Sequence, residues 1–168
     1  MPSISAVYER IPVLSGSGTG ETSLVAFNAA LLAVGLGHYN VIRLSSVIPP
    51  GTDVDATGRT PAPAGAWGDR MYCVYAMRSA TTVGEQAWAG VGWVRRRDGL
   101  GGLFVEHDGA DEATVAAGIR ASLTGLMAGG EDDFTAPDFV INGVTCTGQP
   151  VCSLVIAPYE SASWMGSR

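Results

Sequence analysis

The chain has no lysine: all ten of its basic residues are arginines. Pyridoxal phosphate enzymes hold their cofactor on a lysine, Schiff-base aldolases use a lysine amine, and the Walker A loop of nucleotide-binding proteins needs a lysine. These three chemistries are therefore excluded.

Charge and histidine are also scarce. Charged residues make up 15% of the 168 positions, and the formal net charge is −6. Such a surface repels nucleic acid and anionic membranes and attracts cationic small molecules. The two histidines, His38 and His107, have no partner three or four residues away, so we expect no metal site.

Cysteine is limited to three residues, and long hydrophobic runs are missing. Cys73, Cys146 and Cys152 form neither an even disulfide framework nor a C-x-x-C pair, which predicts reduced thiols. The most apolar stretch, residues 24–37, is too short to span a bilayer, and residues 1–15 lack the features of a signal peptide. We therefore expect a cytoplasmic protein without a membrane segment.

Apolar residues, at 46% of the chain, are sufficient for one hydrophobic core. Their spacing predicts a helix over residues 23–34, capped by Thr22, and a second helix that begins after Asp111. Runs of β-type composition predict strands at residues 5–13, 39–44, 71–77, 86–95, 101–107, 139–146 and 151–157. This order of elements favours a single-domain α+β sandwich over a doubly wound parallel sheet.

A glycine-rich segment, Gly16–Gly20, precedes the first helix and is predicted to form a loop. It does not match a dinucleotide-binding fingerprint, because Glu21 stands where a further glycine is needed and its carboxylate competes with phosphate for the N–H groups. We interpret the segment as a tight turn before a capped helix. The nucleophile elbow G-x-S-x-G is absent, so a serine hydrolase is not predicted.

The most specific feature is a pair of serines between an apolar strand and a double proline. Ser45 and Ser46 follow Asn40-Val-Ile-Arg-Leu and precede Val-Ile-Pro49-Pro50. The prolines fix φ after the serines and favour a constrained turn. Taken alone, the segment also fits an ordinary strand exit with two solvated serines.

In its order of motifs the chain resembles the pyruvoyl-dependent arginine decarboxylases. That family has Gly-Glu-Thr after a glycine-rich loop, then Ala-Phe-Asp, Gly-x-Gly and Asn-(Leu/Val)-Ile-Arg-x-Ser-Ser-x-x-Pro-Pro. The corresponding segments here are residues 20–22, 26–28, 35–37 and 40–50, and the strand at 102–106 with its following helix is also similar. The resemblance covers nearly the whole chain.

The resemblance implies that the chain cuts itself between Ser45 and Ser46, into a β chain of residues 1–45 and an α chain of residues 46–168. The Ser46 hydroxyl attacks the Ser45 carbonyl, and Ser46 becomes a covalent pyruvoyl group that serves in place of pyridoxal phosphate, without a metal. Asn40 is implied to assist this cleavage. Glu106 is implied to protonate the intermediate that forms when CO2 leaves.

The implied reaction is the decarboxylation of arginine to agmatine in polyamine biosynthesis. One position departs from the family: Asn28 stands where an aspartate meets the guanidinium of the substrate. A neutral amide binds a guanidinium less well than a carboxylate does, so another amino-acid substrate remains an alternative. For arginine, Glu21, Asp53 or Asp55 would have to supply the missing charge.

The resemblance also implies a four-layer αββα sandwich that assembles as a homotrimer or a multiple of it. Its small-molecule amino-acid substrate would then bind at subunit interfaces. An uncleaved, non-catalytic relative that acts as a binding or assembly partner is the alternative from another functional class.

Overall fold

The computed structural model describes residues 9–164, which form ten strands and two helices. The elements in chain order are β1 (Arg10–Pro12), β2 (Leu14–Thr19), α1 (Ser23–Ala33), β3 (Asn40–Arg43), β4 (Val47–Ile48), β5 (Asp53–Asp55), β6 (Arg70–Ala80), β7 (Gln86–Arg95), β8 (Gly102–Gly109), α2 (Glu112–Met127), β9 (Asp138–Thr145) and β10 (Val151–Ala162).

Two four-stranded sheets carry most of these strands. The first has the order β2-β10-β6-β3, with β3 parallel to β6 and the other pairs antiparallel. The second has the order β4-β8-β7-β9 and is antiparallel throughout. The short strands β1 and β5 form a separate parallel pair.

Three apolar layers hold the four structural layers together. Helix α1 covers the first sheet through a cluster that includes Ala30, Leu36 and Leu154. The two sheets meet around Val91 and Phe104 of the second sheet, packed with residues of the first. Helix α2 covers the outer face of the second sheet. The arrangement is helix, sheet, sheet, helix, and it confirms the predicted αββα sandwich.

The glycine-rich segment is a strand and not the predicted loop. Gly16 and Gly18 lie within β2, which pairs with β10. A Cβ atom on Gly18 would lie 2.3 Å from the carbonyl oxygen of Ala26. The glycines therefore let the backbone of β2 approach α1 closely, and this packing requirement, rather than a turn, explains them.

Helix α1 begins after Thr22 as predicted, because the Thr22 hydroxyl accepts a hydrogen bond from the Val25 amide. The spacing of Leu24, Phe27, Leu31 and Leu32 predicts one core-facing side of the helix, but of these four only Leu31 is buried. Ala26 and Ala30 are fully buried, whereas Leu24 is 75% exposed and Leu32 is 61% exposed. The alanines face the sheet because β2 lies so close, and the side chains of Leu24 and Leu32 remain on the outer surface.

The other predicted elements agree with the structure to within a few residues, whereas the short strands β4 and β5 were not predicted. Strand β7 has the predicted bounds, and α2 follows an Asp111 side chain that accepts a hydrogen bond from the Thr114 amide. Strands β6 and β10 are longer than predicted. The first part of the predicted strand at 5–13 lies outside the described residues. Within residues 9–164, no helix is long and apolar enough to cross a membrane.

All three cysteines are buried and unpaired. Burial raises the pKa of Cys73 and of Cys152 to about 11, so both thiols stay protonated at neutral pH, whereas the thiolate is the form that attacks a thiol reagent. We expect a disulfide reagent at pH 8 to label these thiols slowly in the native protein and rapidly after denaturation. Fast native labelling of Cys73 or Cys152, read by mass spectrometry, would contradict this packing.

Candidate active site

The serine pair lies where the chain crosses from one sheet to the other. Strand β3 ends in the first sheet at Arg43, and β4 begins in the second sheet at Val47. The Phe104 amide donates a hydrogen bond of 2.8 Å to the carbonyl oxygen of Ser46, which ties the crossover to β8. The predicted strand followed by a turn is therefore a connection between two sheets.

Ser46 has a left-handed backbone, with φ of 79°, the only positive φ of a non-glycine residue between residues 9 and 164. For a residue with a Cβ atom this conformation costs about 1–2 kcal/mol. The half-buried Ser46 hydroxyl donates a short hydrogen bond to Oε1 of Glu106. A strained backbone and an acceptor for the hydroxyl proton thus coincide at the second serine of the pair.

Glu106 reaches Ser46 because of the side-chain alternation of β8. Phe104 points into the layer between the sheets, and Val105 points towards α2. Glu106 therefore lies on the inner face, and beyond Leu103 strand β8 is no longer paired with β4. This uncovered part of the strand edge is where Glu106 meets Ser46.

An open groove of about 530 Å³ runs along the same strand edge. Its lining includes Ser45, Ser46, Glu106, His107 and Ser122. His107 Nε2 lies 2.7 Å from the Ser122 hydroxyl of α2. The sequence offered no signal for Ser122, because the contact joins residues 15 positions apart in different elements. The groove combines a nucleophile, a carboxylate and an imidazole.

Asn40 does not join this group within one chain. It starts β3, and its side-chain amide donates a hydrogen bond of 2.7 Å to the carbonyl oxygen of Gly68. An extended strand separates it from Ser45 and Ser46. Its part in cleavage remains a prediction.

Asn28 is also separate from the groove. It is exposed on α1, which covers the first sheet, whereas the groove lies at the edge of the second sheet beside α2. Within one chain the structure therefore does not bring Asn28 to Ser46.

The three acidic residues considered as replacements occupy other places. Glu21 is exposed in the turn before α1, and Asp53 forms an ion pair with Arg95. Asp55 accepts hydrogen bonds from the hydroxyls and amides of Thr57 and Thr60, and these bonds hold the pKa of its carboxyl below the ordinary value. Asp55 therefore orders the loop that follows β5 and does not line the groove.

In the described part of the chain, no metal site lies beside this groove or elsewhere. No group of three His, Cys, Asp or Glu side chains there is arranged to hold a metal ion. A larger cavity of about 670 Å³ near the end of α1 is lined by no ionisable side chain. The groove at Ser46 is the candidate active site because it holds the serine pair and the carboxylate that contacts it.

Comparison with known proteins gives one consistent result. Residues 10–158 match the family model for pyruvoyl-dependent arginine decarboxylase. A protein of that name from Halobacterium salinarum is 36% identical over 156 residues, which cover 89% of this chain and 93% of the relative. One from Methanocaldococcus jannaschii is 33% identical over 107 residues, covering 61% of this chain and 62% of the relative.

A solved structure shows a weaker likeness. The structure titled pyruvoyl-dependent histidine decarboxylase at pH 8 aligns with a TM-score of 0.43 and 16% identity, over 61% of this chain and 54% of that one.

Proposed function

This chain belongs to the pyruvoyl-dependent arginine decarboxylase family, and on that premise we propose that it cleaves itself at Ser45–Ser46 and decarboxylates arginine to agmatine. The observation that carries the proposal is the Ser46 hydroxyl, hydrogen-bonded to Glu106 from a residue with left-handed φ. Backbone strain at Ser46 lowers the barrier to attack on the Ser45–Ser46 peptide, and the Glu106 carboxylate accepts the proton of the Ser46 hydroxyl.

Cleavage needs only groups of this chain and water. The Ser46 oxygen attacks the Ser45 carbonyl carbon, the peptide C–N bond breaks, and the nitrogen takes up the proton, leaving an ester. Loss of the Ser46 α-proton then expels the Ser45 carboxylate and leaves a dehydroalanine. Water replaces the nitrogen of its imine tautomer, ammonia leaves, and residue 46 becomes a pyruvoyl group. Residues 1–45 and 46–168 remain as two chains.

The residues at the groove fit such a group. A pyruvoyl ketone condenses with the amino group of an amino acid and accepts the electrons released when CO2 departs. Glu106 Oε1, which accepts a hydrogen bond from the Ser46 side chain in the uncut chain, is in position to deliver a proton to the carbon that loses CO2. The open side of the groove leaves about 530 Å³ for a substrate.

The family resemblance implies a homotrimer or a multiple of it, and the outer face of α1 supports association between copies of the chain. Leu24, Val25 and Leu32 surround Asn28 there with exposed apolar surface. A helix that is apolar on all sides is ordinarily buried, so we propose that a second copy covers this face. A neighbouring copy is also the way in which Asn28 would approach a groove.

We expect Asn28→Asp to increase kcat/KM for arginine by about 10-fold or more, because a hydrogen bond to a charged group contributes about 1.5–3 kcal/mol. Self-cleavage should not change. Steady-state kinetics with arginine and with uncharged amino acids of similar length test this prediction. The control should be an exposed residue, which excludes Asn142, since its side-chain amide donates hydrogen bonds to Ser17 and Ser153. An exposed matched change, Gln149→Glu, should leave both rates as they are. If Asn28→Asp has no effect on kcat/KM for arginine, residue 28 does not contact the guanidinium of the substrate.

The experiment that tests the function is an assay of the purified protein for CO2 and agmatine, normalised to the amount of cleaved chain. A different preferred amino acid would support the alternative substrate that Asn28 suggests. An intact chain without activity would support the non-catalytic relative. We further propose a cytoplasmic location, supported by the three unpaired cysteines.

A further inference from the structure

The segment that begins at Ser46 has few attachments near the proposed cut. The Val47 side chain is 60% exposed and contributes little packing, so Ile48, which is 1% exposed, is the first side chain anchored in the core. Before cleavage the peptide bond to Ser45 also restrains Ser46. After cleavage the end of the new chain depends on its hydrogen bonds.

One of these hydrogen bonds joins Val47 to Tyr159, which lies in the first sheet. Its geometry follows from the pairing of β4 with β8. The Phe104 amide donates a hydrogen bond to the Ser46 carbonyl, and in antiparallel pairs hydrogen-bonded and non-hydrogen-bonded positions alternate. Val47 and Leu103 are therefore a non-hydrogen-bonded pair, and the Val47 carbonyl points away from β8. The Tyr159 hydroxyl donates a hydrogen bond of 2.9 Å to that carbonyl oxygen.

The structure holds Tyr159 firmly in this position. A β-bulge between Pro158 and Glu160 in β10 leaves Tyr159 as the extra residue of the strand pair. The Tyr159 ring packs on Phe104, with ring centroids 6.0 Å apart. Burial, together with the negative charge of Glu106, raises the pKa of the Tyr159 hydroxyl, so it remains a donor throughout the neutral range.

We propose that Tyr159 is a positioning residue whose hydroxyl anchors the amino-terminal end of the 46–168 chain, so that residue 46 stays beside Glu106 after the peptide is cut. This inference rests on the proposed function. It adds a role for β10, whose Tyr159 lies 112 positions along the chain from Val47.

Tyr159→Phe tests the inference because it removes the hydroxyl and keeps the ring on Phe104. In the cleaved variant we expect kcat per cleaved chain to fall about 10-fold with KM changed less than about twofold. We also expect faster backbone hydrogen exchange in the peptide that covers residues 46–50, with the thermal midpoint close to that of the wild type. The exchange readout does not depend on turnover.

The matched control is Tyr39→Phe, which removes a hydroxyl that likewise donates to a backbone carbonyl, that of Pro63. It should leave kcat and exchange at residues 46–50 unchanged. If Tyr159→Phe leaves either of these two values at the wild-type level, or if Tyr39→Phe changes both equally, the anchoring role is overturned. A wild-type chain that stays uncut would instead refute the proposed function itself, and is recognised before any variant is compared.

Discussion

Ser46→Ala should produce a single uncut chain of 17.3 kDa with decarboxylation at the uncatalysed background. The substitution removes the oxygen that attacks the Ser45 carbonyl and the atom that the carboxylate of Glu106 contacts. Alanine carries the same Cβ atom as serine, so the left-handed φ adds no new steric cost and the fold should persist. Denaturing electrophoresis and an agmatine assay measure the two effects.

The control is Ser45→Ala, since residue 45 contributes its carbonyl and not its hydroxyl to the attack. We expect this variant to be cut and to retain activity within about 10-fold of the wild type. A Ser46→Ala protein that is still cut at the same bond would contradict the assignment of the nucleophile. Equal loss of cleavage in both variants would indicate that the turn, rather than the Ser46 hydroxyl, controls the reaction.

Glu106→Gln should reduce turnover per cleaved chain by about 10² or more, the scale expected on removal of a general acid. The amide oxygen can still accept a hydrogen bond from Ser46, but the amide cannot exchange a proton near neutral pH. Because Glu106 contacts the Ser46 hydroxyl in the uncut chain, we expect self-cleavage to become slower as well. Prolonged incubation should still give enough cleaved protein for single-turnover measurements.

Glu112→Gln is the matched control, because Glu112 is exposed in the first turn of α2. It should cleave and turn over at rates close to those of the wild type. Wild-type turnover per cleaved chain in Glu106→Gln would show that the proton comes from another group. His107, whose imidazole lines the same groove, would be the next residue to test.

The local signals in the sequence predict local structure well. The caps Thr22 and Asp111 mark the starts of the two helices, and β7 has the predicted bounds. The prediction of a loop at Gly16–Gly20 is wrong because glycine serves close packing as well as turns, and only the position of α1 distinguishes these uses. The exposure of Leu24 and Leu32 has the same origin, since the small residues face the adjacent strand.

The residues of the candidate site also differ in whether the sequence predicts them. The resemblance to the family implies roles for Ser46 and Glu106, and the structure brings their side chains into contact. Ser122 and Tyr159 join the surroundings of Ser46 through packing of distant elements, for which a sequence pattern carries no information. Asn28 and Asn40 lie elsewhere in the single chain, so their proposed roles depend on how copies assemble.

The most direct test of self-cleavage is the intact mass of the purified wild-type protein under denaturing conditions. We expect two species, residues 1–45 with a free carboxyl terminus and residues 46–168 lighter by one ammonia than the product of simple hydrolysis at this bond. The missing ammonia distinguishes a pyruvoyl end from a serine end. A single mass for the uncut chain, or a 46–168 fragment that retains its amino-terminal serine, would refute pyruvoyl formation by self-cleavage.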